Sequence, residues 1–125
     1  MGLDSYQNQT VSALVVPDNF SASGTGTGID ISTYTGRAMA ILENRGGGGT
    51  SPTLNVKIQH STDDSTYTDH STAATFTQAT SGNGVQAIEL DTPAFHKYIR
   101  AKYVLAGTNP TFDFGVVFVG QKQYN

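Results

Sequence analysis

The sequence predicts an all-β protein: an antiparallel β-sandwich, jelly-roll-like, with about eight strands. Three observations carry that prediction. No window shows the 3.6-residue apolar period of an amphipathic helix, whereas several short runs alternate apolar and polar residues at a period of two. Threonine is the commonest residue, only 14% of residues are charged, and Gly, Asn, Asp and Pro recur at short intervals, a mix that suits pleated surfaces and turns. Finally, one stretch occurs twice: Gly49 to Ile58 reads GTSPTLNVKI and Gly107 to Val116 reads GTNPTFDFGV, an offset of 107 − 49 = 58. An immunoglobulin-like sandwich is the nearest alternative.

The repeat keeps its apolar positions in step, Leu54 with Phe112, Val56 with Phe114 and Ile58 with Val116. Pro52 and Pro110 fix φ and remove a donor, which places them at a turn or a strand start. Upstream of each copy lies a strand-like run, Arg37 to Asn44 (RAMAILEN) and Lys97 to Leu105 (KYIRAKYVL). Each copy is therefore expected to be the second arm of a hairpin, so that two hairpins frame the chain.

In chain order, residues 1–10 are polar and read as an N-terminal arm, and residues 11–125 as a single sandwich domain. Val11 to Val16 is the first strand, ended by Pro17-Asp18. Ser21 to Gly28 (SASGTGTG) is expected to be a flexible connector rather than a nucleotide loop, because it leads into the alternating Ile29 to Tyr34 and not into a helix. The first hairpin, Arg37 to Asn44 with Thr53 to His60, closes through Arg45 and four glycines. The ordering cost of those glycines predicts a mobile tip, with Arg45, Gly47 and Gly48 as contact residues. Asp63, Asp64 and Ser65 suit a turn, Thr75 to Thr77 a short strand, Ser81 to Gly84 a turn into the strand Val85 to Leu90, and Asp91-Thr92-Pro93 a break. In the last strand Phe112, Phe114, Val116 and Phe118 line one face, while the other ends in Val117 and Val119. A strand apolar on both sides must be covered twice, by the chain itself or by a subunit.

At 125 residues the chain is long enough for one domain that buries about two thirds of its unfolded surface. It has no cysteine, so neither disulfides nor thiolate zinc sites arise. Seven Lys and Arg against ten Asp and Glu do not make the basic footprint that binding to nucleic acid needs. The N-terminal sequence shows no signal-peptide or myristoylation pattern, and no segment has the apolar length to span a bilayer, so no membrane partner is expected. The sequons at Asn8 and Asn19 are expected to be chance matches.

No reactive cluster emerges. His60, His70 and His96 are scattered in sequence, there is no G-x-S-x-G elbow, and Glu89 and Asp91, on one face of a strand and flanking an apolar-alternating run, are expected to face solvent. Asp63, Asp64 and Asp69 lack the EF-hand spacing for calcium. The expectation is therefore no catalytic residue, no metal, no cofactor and no enzyme. Tyr34 and Tyr67 are candidate aromatic contacts for a carbohydrate, although the chain lacks Trp. Lys97, Arg100 and Lys102 concentrate positive charge on the second hairpin, which suits docking on a complementary surface.

The stretches ILENRGGGGTSPTLNVKIQHSTDDSTYTD, TFTQATSGNGVQAIELDT and YIRAKYVLAGTNPTFDFGVVFVG together resemble the small capsid decoration proteins of tailed double-stranded-DNA bacteriophages, over about residues 25–120. The resemblance implies a virion protein on the outer capsid surface that bridges major capsid protein subunits and acts as a symmetric dimer or trimer. Arg45, Gly47, Gly48, Lys97, Arg100, Lys102, Val117 and Val119 are the expected partner or subunit contacts. A receptor- or carbohydrate-binding module of a phage fibre or adhesin is the alternative.

Overall fold

The structure is a computed structural model that describes residues 9–70 and 74–122. Its strands are β1 (Gln9–Phe20), β2 (Gly24–Thr25), β3 (Ile29–Asp30), β4 (Tyr34–Ser61), β5 (Thr68–Asp69), β6 (Gly84–Asp91) and β7 (Tyr98–Lys122), with a short 3-10 helix at Thr92–Ala94. The fold is all-β and sandwich-like. Two strands, β4 and β7, organise it: they run antiparallel from Tyr34 opposite Lys122 to Ser61 opposite Tyr98. Midway, both turn a corner. Before the corner β4 lies in a sheet ordered β1, β7, β4, β6; beyond it, β7 and β4 are flanked by β2 and β3 on one edge and β5 on the other. Seven strands, with β4 and β7 each counted twice and β2 with β3 as one interrupted arm, give the eight arms of a jelly roll.

The repeated motif builds the corner. Gly-Thr-Ser-Pro-Thr of β4 meets Gly-Thr-Asn-Pro-Thr of β7 with Thr50 opposite Thr108. Both copies hold the same backbone: Gly49 and Gly107 have φ of 98° and 117°, and Ser51 and Asn109 each have φ of 50°. The fit is reciprocal. A Cβ on Gly49 would lie 2.5 Å from the Asn109 carbonyl oxygen, and one on Gly107 would lie 2.8 Å from that of Ser51. Each glycine thus admits the backbone of the other copy. Beyond the prolines, Leu54, Val56 and Ile58 and their counterparts Phe112, Phe114 and Val116 are all buried in one core. Phe114 meets Tyr103 of the facing sheet at 5.2 Å and Phe20 at 4.8 Å, so an aromatic cluster ties the two layers together.

Four expectations are corrected. Arg37 to Asn44 does not fold back on Thr53 to His60, nor Lys97 to Leu105 on Gly107 to Val116; each pair is one bent strand, and the two strands pair with each other. The four glycines are not a mobile tip. Gly47 and Gly48 lie inside β4 opposite Phe112 and Thr111, where a Cβ on Gly47 would sit 2.5 Å from the Phe112 ring. The first strand continues through Pro17 to Phe20 by way of two register shifts, because a proline on an edge strand removes no ladder bond that the sheet needs. The segments read as a connector and as a strand exchange roles in part: Gly24–Thr25 pairs with β7, whereas the stretch around Phe76 is held by single bridges at Thr75 and Ala79. Within the proposed arm, Gln9 and Thr10 already belong to β1; residues 1–8 lie outside the described residues.

Candidate interaction surface

Strand alternation decides what the outer face of the β1–β7–β4–β6 sheet carries. With Phe112, Phe114, Val116 and Phe118 turned inward, Val117 and Val119 turn outward. The register sets Val11, Val119 and Met39 in one row, which ends at Glu89 on β6, and Ala13, Val117, Ile41 and Ala87 in the next. Val85 continues the surface, and Pro17 closes over Gly115, whose Cβ would lie 2.6 Å from the proline ring. Val11 is 66% exposed, Val85 67% and Met39 38%, which places here three of the five large apolar side chains exposed among the described residues. Charged pairs frame this face: Arg37 with Glu89 at 3.1 Å, and Arg45 with Glu43 at 3.6 Å. Beside the second pair Asn19 donates to Asp113 at 2.6 Å, and Asp18, Glu43, Arg45 and Asp113 rim a depression of about 350 Å³. An apolar centre inside a charged margin is the anatomy of a protein contact.

The opposite outer face is polar and internally bonded. Lys57 Nζ donates to Asp69 at 2.7 Å, Gln59 to Asp69 at 2.9 Å, and Arg100 to Gln59 at 2.9 Å while its guanidinium lies 4.1 Å from the centre of the Tyr67 ring. Tyr67 donates to Asp64, and together they fill the space left by Gly28. Burial first, then the bond to Asp64, raise the Tyr67 phenol above its ordinary value. Asp63 accepts from the backbone amides of Ser65 and Thr66 and from the Ser61 hydroxyl, bonds that hold its carboxyl below the usual range. The three carboxylates weighed for calcium thus go to three separate sets of partners.

The expected contact residues therefore separate. Arg45, Val117 and Val119 share the apolar face and its margin. Gly47 and Gly48 belong to the corner. Arg100 and Lys102, half-buried, lie on the other sheet, and Lys97 is exposed before β7, 4.0 Å from Asp30. Tyr34 and Tyr67 do not form one platform: Tyr34 packs edge-on against Phe118, Tyr67 beneath Arg100, and both are half-buried.

One constellation escaped the sequence. The three histidines meet at the end of β4, where His60 stacks on His96 at 4.1 Å and meets His70 edge-on at 4.9 Å, while His70 stacks on Phe95 at 3.9 Å. The rings lie face to face or edge-on, and no group of three or more His, Cys, Asp or Glu side chains among the described residues could hold a metal ion. His60 Nδ1 accepts from the His96 amide at 3.1 Å, which requires the unprotonated nitrogen. Burial first, then the charges of His96 and His70, hold the His60 imidazolium below its ordinary value of 6.5. Below that value the unfolded chain binds more protons than the folded one. The stabilisation is therefore complete above pH 6.5 and is lost as pH falls through the lower folded value. The lowered carboxyls of Asp30, Asp63 and Asp69 act separately, below 3.8. Thermal melting is expected to fall between pH 7.5 and pH 5, and His60→Phe, which keeps a ring, is expected to flatten that fall; identical profiles for the two proteins would contradict it.

The sequence matches no protein-family model and no curated protein. Solved structures do share the fold. The exported protein XepA of PBSX superposes with a TM-score of 0.60 at 12% identity, over 93% of this chain and 38% of that one. The prophage-derived protein YomS of SPBc2 gives 0.53 at 13% identity, over 90% of this chain and 91% of that one. A chain of the T13 infectious bursal disease virus particle gives 0.59 at 16%, over 92% of this chain and 31% of that one. The chain thus spans about a third of the length of the XepA and virus-particle chains and nearly all of YomS, and what it shares with them is the fold.

Proposed function

We propose that this protein is a phage virion structural protein that binds the outer surface of the capsid and stabilises the shell by bridging major capsid protein subunits. The observation that carries the reading is the apolar face around Val117 and Ile41 with its charged margin, a surface suited to the protein contacts of a shell-bound oligomer. The fold supports it, since the similar structures include a prophage-derived protein and a chain of a virus particle. The mechanism is mass action: a ligand that binds only the assembled lattice stabilises it, and many weak contacts acting together suffice. Neither nucleic acid nor membrane is a partner in this reading, and the protein works as a symmetric oligomer. Capsids of the phage that encodes it, prepared without the protein, are expected to take it up stoichiometrically and to disrupt at a higher temperature once saturated. An unchanged disruption temperature at saturation would refute the stabilising role.

A further inference from the structure

We propose that the outer face of the β1–β7–β4–β6 sheet pairs with the same face of a second copy, about a two-fold axis that runs along the strands between β7 and β4. This deepens the reading above, in which the protein works as a symmetric oligomer: it assigns the apolar face to the contact between copies, so that the dimer meets the shell through its remaining surface. The argument is self-complementarity. A two-fold in that place exchanges β7 with β4 and β1 with β6. Applied to the observed register, it sets Val119 on Met39 and Val117 on Ile41 at the centre, and Ala13 on Ala87 and Pro17 near Val85 at the sides. Apolar positions meet at these places, while Val11 falls on Glu89, which Arg37 of its own chain holds at 3.1 Å, and Gly115 falls on Glu43, which Arg45 holds at 3.6 Å.

The charges at one end agree. Asp113 of β7 lies opposite Gly46, next to Arg45 of β4, and both side chains rim the same depression. The same axis therefore brings Arg45 of each copy over Asp113 of the other, twice per dimer. A two-fold across the strands through the same row would instead set Met39 on Glu43, Glu89 on Val85 and, farther out, Arg45 on Arg37, a like-charge contact. Aligned sheets cross at about 30°, and the long side chain of Arg45 spans the resulting displacement at the end of the face. Four strands about 4.8 Å apart and five outward positions about 6.8 Å apart make a face of roughly 500 Å², hence roughly 1,000 Å² for the pair. That reaches the size of a specific, reversible contact.

Sedimentation equilibrium of the purified chain at tens of micromolar tests this, with capsid uptake measured separately. A dimer is expected. Arg45→Glu and Asp113→Lys, each alone, place like charges together at both contacts and are expected to weaken the dimer by about tenfold or more. Mixed in equal amounts the two variants are expected to recover wild-type association, because the mixed dimer sets Glu on Lys at one contact and keeps Arg45 on Asp113 at the other. Charge effects confined within one chain do not produce that recovery. Val117→Asp is expected to leave a folded monomer. A wild-type monomer or trimer, unweakened single variants, or a mixture that stays weak would overturn the proposal. Capsid binding by a monomer would leave the function standing without it, and a dimer indifferent to capsids would do the reverse.

Discussion

Gly107→Ala is expected to lower the unfolding free energy by about 3 kcal/mol, and Gly49→Ala by a similar amount. Two costs add at these positions. Alanine rarely adopts a φ of 117° or 98°, and the new methyl group would meet backbone on the opposite copy of the motif: the Thr50 and Ser51 carbonyls in one case, the Thr108 and Asn109 carbonyls in the other. Backbone in a paired strand has no rotamer with which to retreat. Gly36 separates the two costs, since its φ is 69° but nothing lies within 4 Å of its Cβ position, so Gly36→Ala is expected to lose only about 1 kcal/mol. Gly82, in open space and without a positive φ, is the neutral control. Urea denaturation of the four variants reads the series. A Gly107→Ala cost no larger than that of Gly36→Ala would mean that the two motifs do not cross closely.

Phe114→Ala is expected to cost about 4 kcal/mol, near the upper range for a fully enclosed ring. Its side chain is 2% exposed and contacts Phe20 of β1 and Tyr103 from the other half of β7, while Phe20 and Tyr103 lie 5.0 Å apart. Truncation leaves a cavity where the two layers meet, bounded by aromatic side chains that cannot collapse into it. Phe114→Leu retains most of the volume and is expected to lose about 1–2 kcal/mol. Equilibrium denaturation with an unchanged denaturant slope checks both values; a loss below 1 kcal/mol for the alanine variant would show that the cluster does not join the layers.

What was legible in the sequence was what alternation encodes. The inward row Phe112, Phe114, Val116 and Phe118 and the outward pair Val117 and Val119 follow directly from a period of two, and the structure has them so. The repeat was legible as a device, but its pairing was not. Glycine and proline stand in the same places whether a strand folds back on itself or bends through a corner, and what separates the two is the steric fit of Gly49 against Asn109, far away in sequence. The glycines before Thr50 mislead for the same reason: their freedom looks like mobility until Phe112 and Thr111 are laid against them. The histidine cluster had no local trace at all, because His60, His70 and His96 are gathered by the pairing of β4 with β5 and by the turn before β7.

Electron cryomicroscopy of capsids lacking the protein, imaged before and after incubation with it, tests the central claim most directly. The account predicts new density on the outside of the shell, of the size of this sandwich, lying across boundaries between major capsid protein subunits. Shells without added density at saturating protein, or density confined to the tail or to the shell interior, would contradict it.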